Sequence, residues 1–243
     1  MQATLPRLAI YDQANPRNTG AVSITTTPRI VLSDLGPLAQ LRAGRMGRRL
    51  VQLYAGLLLY GCSIALMVRS DLGLAPWDVL HSGLTHWFPI DIGQALVIVS
   101  LVVMIGWIPL REMPGIGTVS NAIVIGVSAD VFLSVMPTTD QLDVRAGLLV
   151  AGVALNGLAT AAYIGAQLGR GPRDGLMTGL SRRTGHSLRL VRTVMELTVV
   201  VIGLLLGGVA GLGTILYAVA IGPLSQSLLP PLLVTLPAED VSG

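Results

Sequence analysis

The chain contains no lysine: all 16 of its basic residues are arginines. It has one cysteine and two phenylalanines, and charged residues fill only 12% of its 243 positions. Each shortage excludes something. Cys62 alone cannot close an internal disulfide, and no cysteine–histidine spacing of a metal site is present. The phosphate-cradling G-x-x-x-x-G-K-[ST] is missing, as are H-E-x-x-H and G-x-S-x-G. With no nucleophile–base pair and no ligand cluster, the expectation is a protein that is not an enzyme, with no catalytic residue, metal or cofactor. Soluble domains are about one quarter charged, so the low charge also excludes an ordinary soluble domain. The formal net charge of +3 comes from arginines that stand mostly beside apolar runs, so no nucleic-acid partner is expected.

What is present is apolar surface. Hydrophobic residues make up 52% of the chain, and the mean hydropathy is +0.70. At ~20 residues per crossing there is room for about six spans. Apolar runs place them near 50–68, 92–110, 116–136, 146–165, 190–207 and 212–229. Residues 1–45 mix Pro, Thr, Asn, Gly and Arg without apolar periodicity and are expected to form a disordered cytoplasmic tail. Residues 46–236 form the transmembrane domain, and 237–243 a short cytoplasmic tail.

The chain also repeats. Leu72-Gly73-Leu74-Ala75-Pro76-Trp77-Asp78 returns as Leu168-Gly169-Arg170-Gly171-Pro172-Arg173-Asp174, an offset of 96 residues. The same offset pairs Gly115-Ile116-Gly117-Thr118 with Gly211-Leu212-Gly213-Thr214, and Arg49 with Arg145. Two halves follow, 49–140 and 145–236, with three spans each. Arg42, Arg45, Arg48 and Arg49 before the first span put the N-terminus inside, and Arg170, Arg173, Arg182, Arg183, Arg189 and Arg192 make 166–192 cytoplasmic as well. An odd number of spans per half inverts the second copy relative to the first. The fold class expected is therefore an all-α polytopic membrane protein of six helices in two inverted three-helix repeats. Each repeat carries a short broken or interfacial helix after its first span. Transporters built in this way hold their substrate near the midplane, where interrupted helices offer free ends.

The stretches R-S-D-L-G-L-A-P-W-D-V-L-H at 69–81, I-G-A-Q-L-G-R-G-P-R-D-G-L-M at 164–177 and L-V-R-T-V-M-E-L at 190–197 resemble the bacterial YczE/YitT-type integral membrane proteins. The resemblance covers about 49–233. It implies a multi-pass inner-membrane protein, connects some members with secondary-metabolite production, and brings no catalytic residues with it.

The candidate residues are few. Pro76 and Pro172 suit the first turn of a helix, where a missing N–H costs nothing, and Gly73 and Gly169 complete that motif. Asp78 and Asp174 then stand at the positive end of a short helix, as stabilising carboxylates or as a mirrored pair on a substrate or ion path. Glu196 lies four residues from Arg192, which allows a helix-face ion pair or a coupling acid; its counterpart is Ser100. Asp130, the counterpart of Gln226, is an acid inside the third span, lining a path or reaching to the surface. Arg170 and Arg173 serve topology, or contact an anion or lipid headgroup. His81 and His86 are expected at the interface. The functional expectation is a permease-like protein for a small solute bound between the halves, in contact with the lipid bilayer. The alternative is an accessory or scaffold protein that meets a protein partner, or a second copy of itself, through 170–192.

Overall fold

The computed structural model describes residues 36–236, and among them it contains helices and no strands. Most of the expected N-terminal tail, and residues 237–243, lie outside the described residues. The end of that tail stretch is helical: α1 (Pro37–Arg42) opens with a proline in its first turn, and Ala43 after it is fully buried. Six residues are too few to show a helical period in sequence.

The long apolar run becomes α2 (Met46–Ser70). It stops where Asp71 turns left-handed at φ 48° and Gly73 follows at φ +119°, a region that Asp tolerates and Gly favours. α3 (Pro76–Trp87) starts on its proline and ends before Pro89, which holds Phe88 extended. A capping box between Asp91 and Gln94 starts α4 (Ile92–Ile105), and α5 (Trp107–Leu110) continues it after Gly106. α6 (Ile116–Val135) and α7 (Leu142–Gly165) follow. α8 (Pro172–Thr184) again starts on proline and closes on a left-handed Gly185. The last two are α9 (Leu188–Leu205) and α10 (Leu212–Leu232).

Among the described residues, five helices are long and apolar enough to cross a membrane: α2, α4 with α5, α6, α7 and α10. The sixth span, expected at 190–207, corresponds to α9. Its 18 residues include Arg189, Arg192 and Glu196, and it is not among the five. Large apolar side chains such as Val102, Val127, Leu212 and Val219 point outward more than half exposed, as a lipid-facing surface requires.

Hydrogen bonds fix which helix ends meet. At the end where α2 starts, Arg49 reaches Ala166 and Gln167 just past α7, Arg45 reaches Thr235 past α10, and Gly117 at the start of α6 donates to Leu168 O. At the opposite end, Arg145 at the start of α7 reaches Ser70 and Asp71, Gly213 at the start of α10 donates to Leu72 O, and Asp130 near the end of α6 accepts from Gly93 in α4. So α2 and α6 run one way, while α4, α7 and α10 run the other.

These contacts recur at the sequence offset. Arg49 Nε donates to Ala166 O at 2.9 Å and Arg145 Nε to Ser70 O at 2.7 Å. Gly117 N donates to Leu168 O and Gly213 N to Leu72 O, both at 2.8 Å. Gly115 N and Gly211 N each donate to a threonine three residues on, both at 3.1 Å. The paired G-x-G-T segments are thus backbone-to-backbone contacts. A Cβ on Gly117 would stand 2.7 Å from Leu168 O, which no side chain can occupy.

Candidate functional site

Two short helices, α3 and α8, bring the repeated motif into the protein interior. Each has proline at its first position and aspartate in its first turn. The residues between them, Trp77 and Arg173, occupy the same place in the two copies of the motif and meet face to face. The Arg173 guanidinium carbon lies 4.9 Å from the centroid of the Trp77 ring, within cation–π reach.

A cavity of about 200 Å³ opens beside this pair. Arg173 and Asp174 of α8, Arg192 and Glu196 of α9, Tyr60 and Tyr163 line its polar side, and Tyr217, Ser225 and Gln226 of α10 close it. Asp174 Oδ2 accepts the Tyr163 hydroxyl at 2.8 Å. Glu196 accepts from Arg192 Nε at 2.8 Å, the ion pair that the four-residue spacing anticipates, and the pair faces the cavity. The Tyr60 and Tyr163 rings stand 6.3 Å apart at 60°. A second cavity of about 60 Å³ shares Tyr60, Tyr163, Arg173 and Asp174 with the first and adds Ser100, Asn121 and Gly171.

The expected site residues separate into groups. Asp174, Glu196 and Arg173 line the larger cavity, together with Pro76. Asp78 is buried behind it, 3.0 Å from His81 Nδ1. Asp130 is elsewhere: its Oδ1 accepts Gly93 N at 2.7 Å, satisfying a free N–H in the first turn of α4. Arg170 is exposed and donates to Thr178 Oγ1 at 3.1 Å. Gly73 and Gly169 hold φ of +119° and +124°, turning the chain into α3 and α8, and Pro172 at the head of α8 accepts Trp107 Nε1 at 2.9 Å. No group of three or more potential metal ligands occurs among the described residues.

His81, expected at the interface, is instead buried, and its Nε2 has no hydrogen-bond partner among the described residues. Burial lowers the basicity of its imidazole, with Asp78 pulling the other way. Composition overlooked the tyrosines. A tyrosine within an apolar helix looks like core, yet three of the five in the chain converge here. Their signal was scarcity in a chain that is 4% aromatic.

Among known proteins, the family of unknown function DUF6198 matches residues 47–229. An uncharacterized protein of Haemophilus influenzae is 40% identical over 169 residues, 70% of this chain and 78% of the relative. The uncharacterized membrane protein YczE of Bacillus subtilis is 34% identical over 179 residues, 73% of this chain and 83% of its own. The uncharacterized protein YyaS of the same organism is 29% identical over 72% of this chain and 89% of its own. No solved structure matches. The motifs at 69–81, 164–177 and 190–197 all fall inside the matched region, and the chain belongs to the DUF6198 family of YczE-type membrane proteins.

Proposed function

We propose that this chain is a permease-like protein of the cytoplasmic membrane, built from two inverted three-helix repeats, that exposes one small-solute site alternately to the two sides. Supporting the inversion, Arg45 before α2 and Thr235 after α10 share a hydrogen bond of 3.1 Å. Chain ends that meet on one side need an even number of crossings, and the five apolar helices are odd in number. α9 supplies the missing one. It leaves the end occupied by α7 and arrives beside α3, where Trp87 Nε1 donates to Leu206 O at 3.1 Å. Leu190, Val194, Leu197, Val201 and Leu205 form an exposed apolar stripe along it, while Arg192 and Glu196 turn into the cavity. Charges that face a polar cavity inside the bundle are compatible with a span. Positive-inside placement then puts both termini in the cytoplasm.

The observation that carries transport is the relation between the two cavities. Ser100, Asn121, Leu96 and Gly171 of the smaller one stand 96 residues before Glu196, Tyr217 and Arg192, and after Ala75, of the larger one. Matching positions thus line a wide cavity and a narrow one between the halves, as expected when one of two mirrored routes is open. The accessory-protein alternative draws on 170–192, but Arg182 and Arg183 there are engaged with Glu112, Leu110 and Pro109 of their own chain. No observation favours it over the permease.

Cysteine labelling in a Cys62→Ser background tests this without knowing the solute. Ser225→Cys in the wide cavity should react with an impermeant thiol reagent from the cytoplasmic face, and Ser100→Cys in the narrow one from the outer face. A Ser100→Cys that never reacts, or reacts only from the cytoplasmic face, refutes alternating exposure.

A further inference from the structure

The cavity carries chemistry that narrows the class of solute. Arg173 is held by the Trp77 face alone: none of the hydrogen bonds or ion pairs among the described residues uses its guanidinium. The buried Arg49 and the cavity-lining Arg192 are treated differently. Arg49 has backbone acceptors at 2.9 and 2.6 Å, and Arg192 has Glu196 at 2.8 Å. A guanidinium whose planar set of N–H donors faces a cavity is built to receive an acceptor, and a carboxylate matches it with two parallel bonds.

A simple anion fits poorly, because Asp174 lines the same cavity and the buried Asp78 acts on Arg173 from behind. Asp174 Oδ2 is taken by the Tyr163 hydroxyl at 2.8 Å, which leaves Oδ1 open to a donor. The formal charges lining the cavity cancel, Arg173 and Arg192 against Asp174 and Glu196. A neutral ligand with separated charges preserves that balance, whereas a net ion adds an uncompensated charge inside the membrane. The cavity, at about 200 Å³, is smaller than the roughly 300–1,000 Å³ that suits a drug-sized ligand. Met177, Met195 and Ile221 supply an apolar wall for a short side chain.

We propose that the site binds a zwitterion of amino-acid size, its carboxylate on Arg173 and its ammonium on Asp174. This rests on the reading of the cavity as a solute site, but binding and transport are measured apart. The full chain, purified in detergent, would be melted in the presence of each of the twenty L-amino acids. The best stabiliser would then be compared with its deaminated and its decarboxylated counterpart. At least one amino acid should raise the melting temperature, and each half-molecule should bind about tenfold more weakly or worse, the worth of one charge-assisted hydrogen bond. Arg173→Met should abolish binding of the amino acid and of its deaminated form, and Arg173→Lys should weaken both. Asp174→Asn should weaken the amino acid alone. No shift with any amino acid overturns the proposal; so does a deaminated form that binds as tightly as its parent, or binding that survives Arg173→Met. Binding without opposite-face labelling of Ser225→Cys and Ser100→Cys would refute transport and leave the zwitterion site standing. Labelling without binding would do the reverse.

Discussion

Arg49 and Arg145 hold matching places 96 residues apart, but replacing them will not cost the same. Arg49 is wholly buried. Its guanidinium donates to Ala166 O at 2.9 Å, Gln167 O at 2.6 Å and Gln40 O at 2.6 Å, holding together the end of α7, the chain beyond it and α1. The carbonyls past a helix end have no intrahelical donor. Exchange for methionine keeps much of the volume but removes all three bonds from this charged donor. Bonds from a charged donor contribute about 1.5–3 kcal/mol each. The cost of holding an arginine out of water offsets part of that, so the net loss is about 3–5 kcal/mol. The Arg145 side chain is 23% exposed. Water can replace its bonds to Ser70 O at 2.7 Å and Asp71 O at 2.6 Å, which limits the loss to about 1 kcal/mol.

At roughly 2–4 °C per kcal/mol for a chain of this size, Arg49→Met should lower the melting temperature by about 10 °C and Arg145→Met by about 3 °C. Both would be followed by the loss of monodisperse protein on heating in detergent. Shifts of equal size, or an Arg49→Met protein that melts within about 2 °C of the parent, would refute the view that enclosure of this clamp sets its worth.

Three other substitutions bear on the site and its frame. Gly73→Ala should cost about 1–3 kcal/mol in the same melt, since Gly73 sits at φ +119° and its Cβ would stand 2.6 Å from Gly211 N; Gly147→Ala, inside α7 with nothing within 4 Å, is the control that should lose no stability. Asp130→Asn keeps an oxygen for Gly93 N and should leave stability unchanged, while Asp130→Ala loses about 1–2 kcal/mol; an Asp130→Asn protein that folds normally but no longer alternates in the labelling assay would instead mark a coupling acid. His81 is neutral when buried, because burial lowers its proton affinity. As pH falls below about 6.5 the unfolded chain gains a proton that the folded one refuses. Stability should therefore decline through that window until the lowered folded value is passed, and His81→Gln should flatten the decline.

The short helices were legible because their causes are local: a glycine at positive φ, two residues of which the second is extended, then proline with aspartate two places on. Gly73 to Asp78 and Gly169 to Asp174 state this twice. The arginine pair was legible only in part. Arg49 and Arg145 stood out by register, but positive charge beside a span reads equally well as topology, and only the fold brings Ala166 and Ser70 to them. His81 and the tyrosines were hidden for a similar reason. Nothing near His81 in sequence announces its burial, and Tyr60, Tyr163 and Tyr217 come from three separate helices.

Trp77 and Arg173 show where repetition and function part. On the proposed inversion, residues at matching places in the two halves can touch only close to the axis that relates them, and these two are 4.9 Å apart. Two arginines at that point would repel, and two tryptophans would offer no donor. One of each gives a cation backed by an aromatic face, with its donors free. The contacts that hold the frame keep the same partners in both halves, such as Gly117 with Leu168 and Gly213 with Leu72. The departures gather around the cavity: Ser100 against Glu196, Asn121 against Tyr217, Trp77 against Arg173. A frame whose two halves match, around a cavity whose lining differs between them, is what the proposed rocking about one asymmetric solute requires.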